Sequence, residues 1–155
     1  MNLPSPSEGR IKMEENLVTL KIDDKEVKVK QGTTILQAAK QAGIDIPTLC
    51  FLKDINEVGD CRMCIVEVDG RKGFATSCIQ KAEEGMVVHT HSPAVMEARR
   101  VILDLILSNH HRDCLTCSRN GNCELQALAM KFNVQHVEFE GEMTEHKVDD
   151  KSPAI

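Results

Sequence analysis

Every cysteine in this chain belongs to one of two runs. Cys50, Cys61, Cys64 and Cys78 form the first, and Cys114, Cys117 and Cys123 form the second, with His110 just upstream of its first thiol. Each set therefore offers four ligands, the number that a 2Fe-2S or a 4Fe-4S cluster requires. A chain that must gather two such sets is read as a two-cluster electron-transfer module. The count of seven thiols is odd and no secretory signal precedes them. A disulfide framework would leave one thiol over, whereas thiols in a reducing compartment stay available to metal, so the expected location is the cytoplasm.

Length narrows the reading further. At 155 residues the chain has room for one or two small domains, and not for a complete redox enzyme with its own catalytic cofactor. It is expected to be part of something larger. A net charge of -5, no Lys/Arg stripe and no Trp or Tyr for bases to stack on exclude nucleic acid as a partner. Asp104 interrupts the longest apolar stretch, Val101 to Leu107, and the first ten residues are polar, so neither a membrane span nor a signal peptide is expected.

The hydrophobic pattern divides the chain. Residues 1–16, with Pro4, Pro6 and Gly9, read as a flexible leader. Val18, Leu20 and Ile22, then Val27 and Val29, alternate with polar residues on either side of Asp23-Asp24-Lys25, which predicts a hairpin with one apolar face. Thr34 and Gln37 have capping-box spacing, and Ile35, Ala38, Ala39 and Ala42 follow a helical period up to Gly43. Strands are predicted near 65–68, 73–76 and 86–89, with Asp69-Gly70 as a hairpin turn. Together these elements predict a small mixed sheet with a helix packed across it.

The period changes from two to 3.6 at Ser92-Pro93, an N-cap followed by proline at the first helical position. Val95, Ala98, Ile102, Leu105 and Ile106 are the expected apolar stripe of that helix. A further helix carries Leu125, Leu128, Ala129 and Phe132. A boundary near residue 91 separates a first domain, 17–91, from a helical one, 92–140. The remainder, 141–155, reads as a tail or connector, and a short alternation at Val137 and Phe139 precedes it.

In the first set, a tight pair, Cys61 and Cys64, stands in a loop with one thiol on each side. Gly59 lies within that loop, where backbone N–H groups would approach cluster sulfur and a side chain would obstruct them. In the second set, Cys123 stands at a predicted helix N-terminus, where the dipole favours a thiolate. An imidazole in place of one thiolate makes a cluster less negative and raises its potential. Soft thiolate sets also suit zinc, and three cysteines with one histidine is a standard structural zinc arrangement. A zinc-stapled interaction module therefore remains the alternative. His89, His91, His136 and His146 have no cysteine at ligand spacing and read as strand or surface histidines. The acid pairs Glu14-Glu15, Asp23-Asp24 and Glu83-Glu84 read as solvated surface.

Gly59, Cys61, Arg62, Cys64, Val66 and Cys78 resemble the 2Fe-2S ferredoxin-like β-grasp domain that begins complex I large-arm subunits and many iron-only hydrogenases. The segment from His110 to Gln126, with Cys114-Leu115-Thr116-Cys117 and Asn120-Gly121-Asn122-Cys123, resembles the 4Fe-4S region of NADH-linked iron-only hydrogenases, ligated by one histidine and three cysteines. Related segments occur in complex I and in some formate dehydrogenases. The resemblance spans about residues 17–140. It implies an α+β chain, a β-grasp 2Fe-2S domain followed by a small, mainly helical 4Fe-4S domain. Cys50, Cys61, Cys64 and Cys78 would hold the 2Fe-2S cluster, and His110, Cys114, Cys117 and Cys123 the 4Fe-4S cluster. His110 fits the family's position, whereas His111 gives a spacing one residue too short.

The same resemblance implies a relay of single electrons between a flavin-containing NAD(P)H-oxidising partner and a catalytic subunit such as hydrogenase or formate dehydrogenase. A component of an electron-bifurcating flavoprotein complex is the alternative within the redox class. No catalytic residues are expected, since the chain has no Gly-rich dinucleotide fingerprint. The further cluster domain and the catalytic domain of those families are not in this sequence, so the chain is expected to be a piece of a longer protein or a small stand-alone subunit.

Overall fold

The computed structural model describes residues 16–141. The leader and tail read from the sequence therefore lie outside the described residues, apart from Asn16 and Gly141, as do Glu14-Glu15 and His146.

Strand β1 (Leu17–Ile22) turns at Asp23-Asp24 into β2 (Lys25–Lys30). The alternation read from the sequence places Val18, Leu20, Ile22, Val27 and Val29 inward. Asp23 takes a left-handed φ of 51°, which a short polar side chain tolerates because it can bond locally. Its carboxylate accepts hydrogen bonds from the Thr90 backbone N–H at 2.8 Å and the Thr90 hydroxyl at 2.7 Å. Asp23 thus clamps the hairpin to the strand beside it rather than simply facing water. Glu84 accepts from the Thr19 N–H at 2.7 Å and Glu83 pairs with Arg71 at 2.7 Å, so these surface acids also fasten loops.

Helix α1 (Ile35–Gln41) starts at a complete capping box of Thr34 and Gln37 and buries Ile35, Ala38 and Ala39. β3 (Ile65–Val68), β4 (Phe74–Thr76) and β5 (Val87–His89) complete a sheet of order β2-β1-β5-β3-β4. β1 runs parallel to β5 and the other neighbours are antiparallel. The mixed sheet crossed by a helix is the α+β arrangement that the pattern predicts, and its main core lies between the sheet and α1.

Helix α2 (Pro93–Ser108) starts at Ser92, whose hydroxyl accepts from the Val95 N–H. Its buried line differs from the predicted stripe: Val95, Arg99, Leu103, Asp104 and Ser108 face inward, while Leu105 is 48% exposed. The helix leans on β3, where the Arg99 guanidinium donates to the Ile65 carbonyl at 2.7 Å. That contact rotates the buried face toward the i, i+4, i+8 row of Val95, Arg99 and Leu103.

A second core joins the two halves. Met63, from the first cysteine loop, packs with Leu103 of α2 and with Phe132, which caps α3 (Glu124–Lys131). The alternation at Val137 and Phe139 does not become a strand. Asp104 instead receives the Glu138 N–H at 3.0 Å and holds this segment against α2. No described helix is long and apolar enough to cross a membrane.

Met63 is fully buried in the shared core, so Met63→Ala should destabilise the chain by about 2–5 kcal/mol, read as a lower midpoint in chemical denaturation.

Candidate metal centres

Hydrogen bonds within the protein itself shape the first cysteine loop. A bridge between Leu52 and Asn56 closes its tip, and the Asn56 side-chain amide donates to the Cys50 carbonyl at 2.9 Å. The chain then returns so that the Cys61 N–H points at Cys50 Sγ, 3.5 Å away. Such bonds to sulfur are one of the means by which a protein stabilises thiolate ligands and tunes a cluster. Gly59 makes the return possible: its φ is +71°, and a Cβ there would come within 3.1 Å of Thr76 and 3.2 Å of Ile79. The obstruction a side chain would cause is therefore against the loop's own wall. Arg62, also at positive φ, donates to the Thr76 hydroxyl at 2.8 Å.

Cys64 and Cys78 are both buried. The backbone N–H and the hydroxyl of Ser77 both bond the Cys64 carbonyl, at 3.1 and 2.7 Å, which extends the β3–β4 pairing just far enough to set Cys78 beside Cys64. The N-terminus of α1 grips the same segment, through Leu36 N–H to Ser77 O and Ile35 N–H to Gln80 O, both at 2.9 Å. Burial pushes the Cys78 thiol up to about 12. The hydrogen bond that the Cys78 thiol gives to Cys64 adds to this, followed by the fields of Cys64, Cys50 and Cys61. All four predicted residues of the first set thus share one neighbourhood, and all are free thiols. Four soft donors, one already receiving a backbone N–H, fit an iron-sulfur cluster.

The second set lies in a more open loop between α2 and α3. His110, Cys114, Cys117 and Cys123 line one small cavity of about 20 Å³, together with His111 and Arg119. Cys123 is the N-cap of α3 and makes no side-chain cap bond, which leaves its sulfur available at the positive end of the helix. The Arg119 N–H approaches Cys117 Sγ at 3.4 Å. His110 also borders the neighbouring cleft of about 740 Å³ with Cys114 and Cys123, and His111 does not. Among the described residues, no three His, Cys, Asp or Glu side chains converge closely enough to hold a single metal ion.

Two of the other histidines serve elsewhere: His89 pairs with Asp69 at 3.0 Å and His91 with the Thr90 hydroxyl at 2.5 Å. His136 lines the same cleft as His110, Cys114 and Cys123. The residue that sequence reading missed is Arg99. It lies outside the predicted apolar stripe, yet it stands four residues from both Val95 and Leu103, a spacing that places it on their buried row.

The fold and its thiol sets define a class. Residues 15–93 match the 2Fe-2S iron-sulfur cluster binding domain, and residues 99–138 match the NADH-ubiquinone oxidoreductase-G iron-sulfur binding region. The chain belongs to the 2Fe-2S iron-sulfur cluster binding domain family, and it carries both a 2Fe-2S and a 4Fe-4S binding region of the electron-transferring kind found in NADH-linked oxidoreductases. This decides between cluster and zinc in favour of the cluster.

Among its relatives, the chain is 43% identical over 145 residues to the NADP-reducing hydrogenase subunit HndD of Solidesulfovibrio fructosivorans, covering 90% of this chain and 25% of that protein. It is 36% identical over 135 residues to the mitochondrial NADH-ubiquinone oxidoreductase 78 kDa subunit of Neurospora crassa, covering 87% of this chain and 18% of that one. A crystal structure of an NAD+-reducing [NiFe]-hydrogenase in the H2-reduced state superposes with a TM-score of 0.79 at 31% identity, over 88% of this chain and 57% of the other. The chain thus spans a quarter or less of the length of these two curated relatives.

Gly59→Val meets both the positive φ and the wall formed by Thr76 and Ile79. It should cost about 1–3 kcal/mol and lower the 2Fe-2S content of purified protein relative to its 4Fe-4S content, measured by EPR spin counting.

Proposed function

We propose that Cys50, Cys61, Cys64 and Cys78 ligate the 2Fe-2S cluster, and that His110, Cys114, Cys117 and Cys123 ligate the 4Fe-4S cluster. On this reading residues 17–91 and 92–140 are the two cluster domains of one relay. When bound, the clusters supply one-electron redox capacity. The chain's own residues hold the thiols together, direct N–H groups at Cys50 and Cys117, and fix the distance between the two sets. The relay passes electrons between a flavin-containing NAD(P)H-oxidising subunit and a catalytic redox subunit of the hydrogenase or formate dehydrogenase kind, in the cytoplasm.

The observation that carries this reading is the shared core of Met63, Leu103 and Phe132. Met63 stands between two thiols of the first set, and Leu103 and Phe132 belong to the helices that flank the second. Two ligand sets fixed to one rigid packing unit keep a constant separation, which electron tunnelling requires. Support for the partners comes from the relatives, which are named as subunits of NADH- and NADP-linked oxidoreductases.

Anaerobic mixing of the cluster-loaded chain with an NADH-oxidising flavoprotein subunit and NADH should reduce both clusters. No reduction of either, with dithionite still reducing both, would contradict the relay. His110→Ala should remove or destabilise the 4Fe-4S signal and leave the 2Fe-2S signal intact, and an unchanged spectrum would move the ligand to His111 or to solvent.

A further inference from the structure

Arg99 is 0% exposed, and it is the bulkiest of the fully buried side chains. Its Nη2 donates to the Ile65 carbonyl at 2.7 Å. Nε and Nη1 are buried without a hydrogen-bond partner, and no carboxylate lies within ion-pair distance among the described residues. An interior guanidinium with no counter-ion is costly and is retained only where something offsets it. Burial lowers it to about 10. Cys64 is the first of the groups that pull it back, ahead of Asp45 and Asp23, so it stays a cation at neutral pH.

Its surroundings say what offsets it. The carbonyl that anchors Arg99 belongs to Ile65, the residue directly after Cys64. Met63, the residue before Cys64, packs on Leu103 one turn further along the same helix. Arg99 is therefore held from α2 against the segment that carries a buried thiol of the first set, while most of its N–H donors remain unused.

We infer that Arg99 is the resident counter-charge of the first ligand set: a cation delivered from α2 that offsets the negative charge of ligated Cys50, Cys61, Cys64 and Cys78 and raises the reduction potential of the centre they hold. The inference rests on the ligand assignment proposed above. Reduction adds one electron to that centre without making or breaking a bond, so the set becomes more negative. A fixed nearby cation stabilises the more negative state more than the less negative one. The second set should feel less of this charge, because Asn109, which ends α2 ahead of His110, lies ten residues on, about 15 Å along the helix axis, in an exposed loop. Arg99 is a positioning and tuning residue on this account, since it acts through the ligands' charge.

The test is a potentiometric titration of the full cluster-loaded chain and its Arg99→Met and Arg99→Lys variants, followed by the EPR signals of the two clusters. Arg99→Met should lower the 2Fe-2S midpoint so that the ratio of reduced to oxidised cluster at a fixed potential falls about tenfold, which is about 59 mV for a one-electron couple. Arg99→Lys should recover at least half of that shift, and the 4Fe-4S midpoint should move less in every sample. A merely structural role would lower the amount of 2Fe-2S cluster and leave the midpoint of the loaded fraction unchanged, and that result overturns the inference. If Arg99→Met binds no cluster, Arg99→Gln takes its place against Arg99→Lys. Failure of all three to load would assign Arg99 to holding the Ile65 carbonyl and overturn the charge role. Wild-type protein without iron, sulfide or a 2Fe-2S signal would instead overturn the ligand assignment and this inference with it.

Discussion

Thiols that must ionise to bind metal resist being gathered in a protein interior, and the fold is organised around overcoming that resistance. Cys78 is the clearest case: burial and the three neighbouring sulfurs all oppose its ionisation, and they push it up to about 12. The chain gathers the set nonetheless, because each ligand is tied to something rigid. Ser77 binds the Cys64 carbonyl twice, α1 holds the segment around Cys78, Asn56 anchors Cys50, and the left-handed turn at Gly59 brings Cys61 back toward it. Only positive charge inside the set would turn this repulsion into binding, and the irons of a cluster supply that charge. Arg99 is a second, permanent source of positive charge on the protein side.

The same loop solves a second problem, the union of two small units. Neither α2 nor α3 buries enough apolar surface by itself to stand as a domain, and α3 has no fully buried residue within its own span. Their core is completed by Met63, a residue of the first ligand loop. The ion pair between Lys131 and Asp45 at 3.0 Å adds a contact across the junction, although it is exposed and worth little. Since the packing that stabilises the helices also fixes the first loop, a change in one set is expected to be felt at the other through position as well as charge.

Much of this was legible in the sequence where local chemistry decides the outcome. The hairpin at Asp23-Asp24, the capping box at Thr34 and Gln37 and the Ser92-Pro93 helix start are each set by neighbours a few residues apart, and the structure has all of them. The inward face of α2 was not legible. Hydrophobicity alone favours Leu105 over Arg99 as an interior residue, and only the β3 carbonyl and the first thiol set, distant in sequence, make the buried guanidinium tolerable. The place of the short alternation at Val137 and Phe139 was not legible for a similar reason: the segment is held by Asp104 of α2, 34 residues away in sequence. The role of Asp23 was hidden because its partner, Thr90, stands 67 residues away.

The most direct test is iron and acid-labile sulfide per chain on anaerobically prepared protein, with EPR spectra of the dithionite-reduced sample. Binding of one cluster at each set predicts about six irons and about six sulfides per chain with two distinct signals. Stoichiometric zinc without sulfide, or a single signal from only one set of ligands, would contradict the two-cluster account.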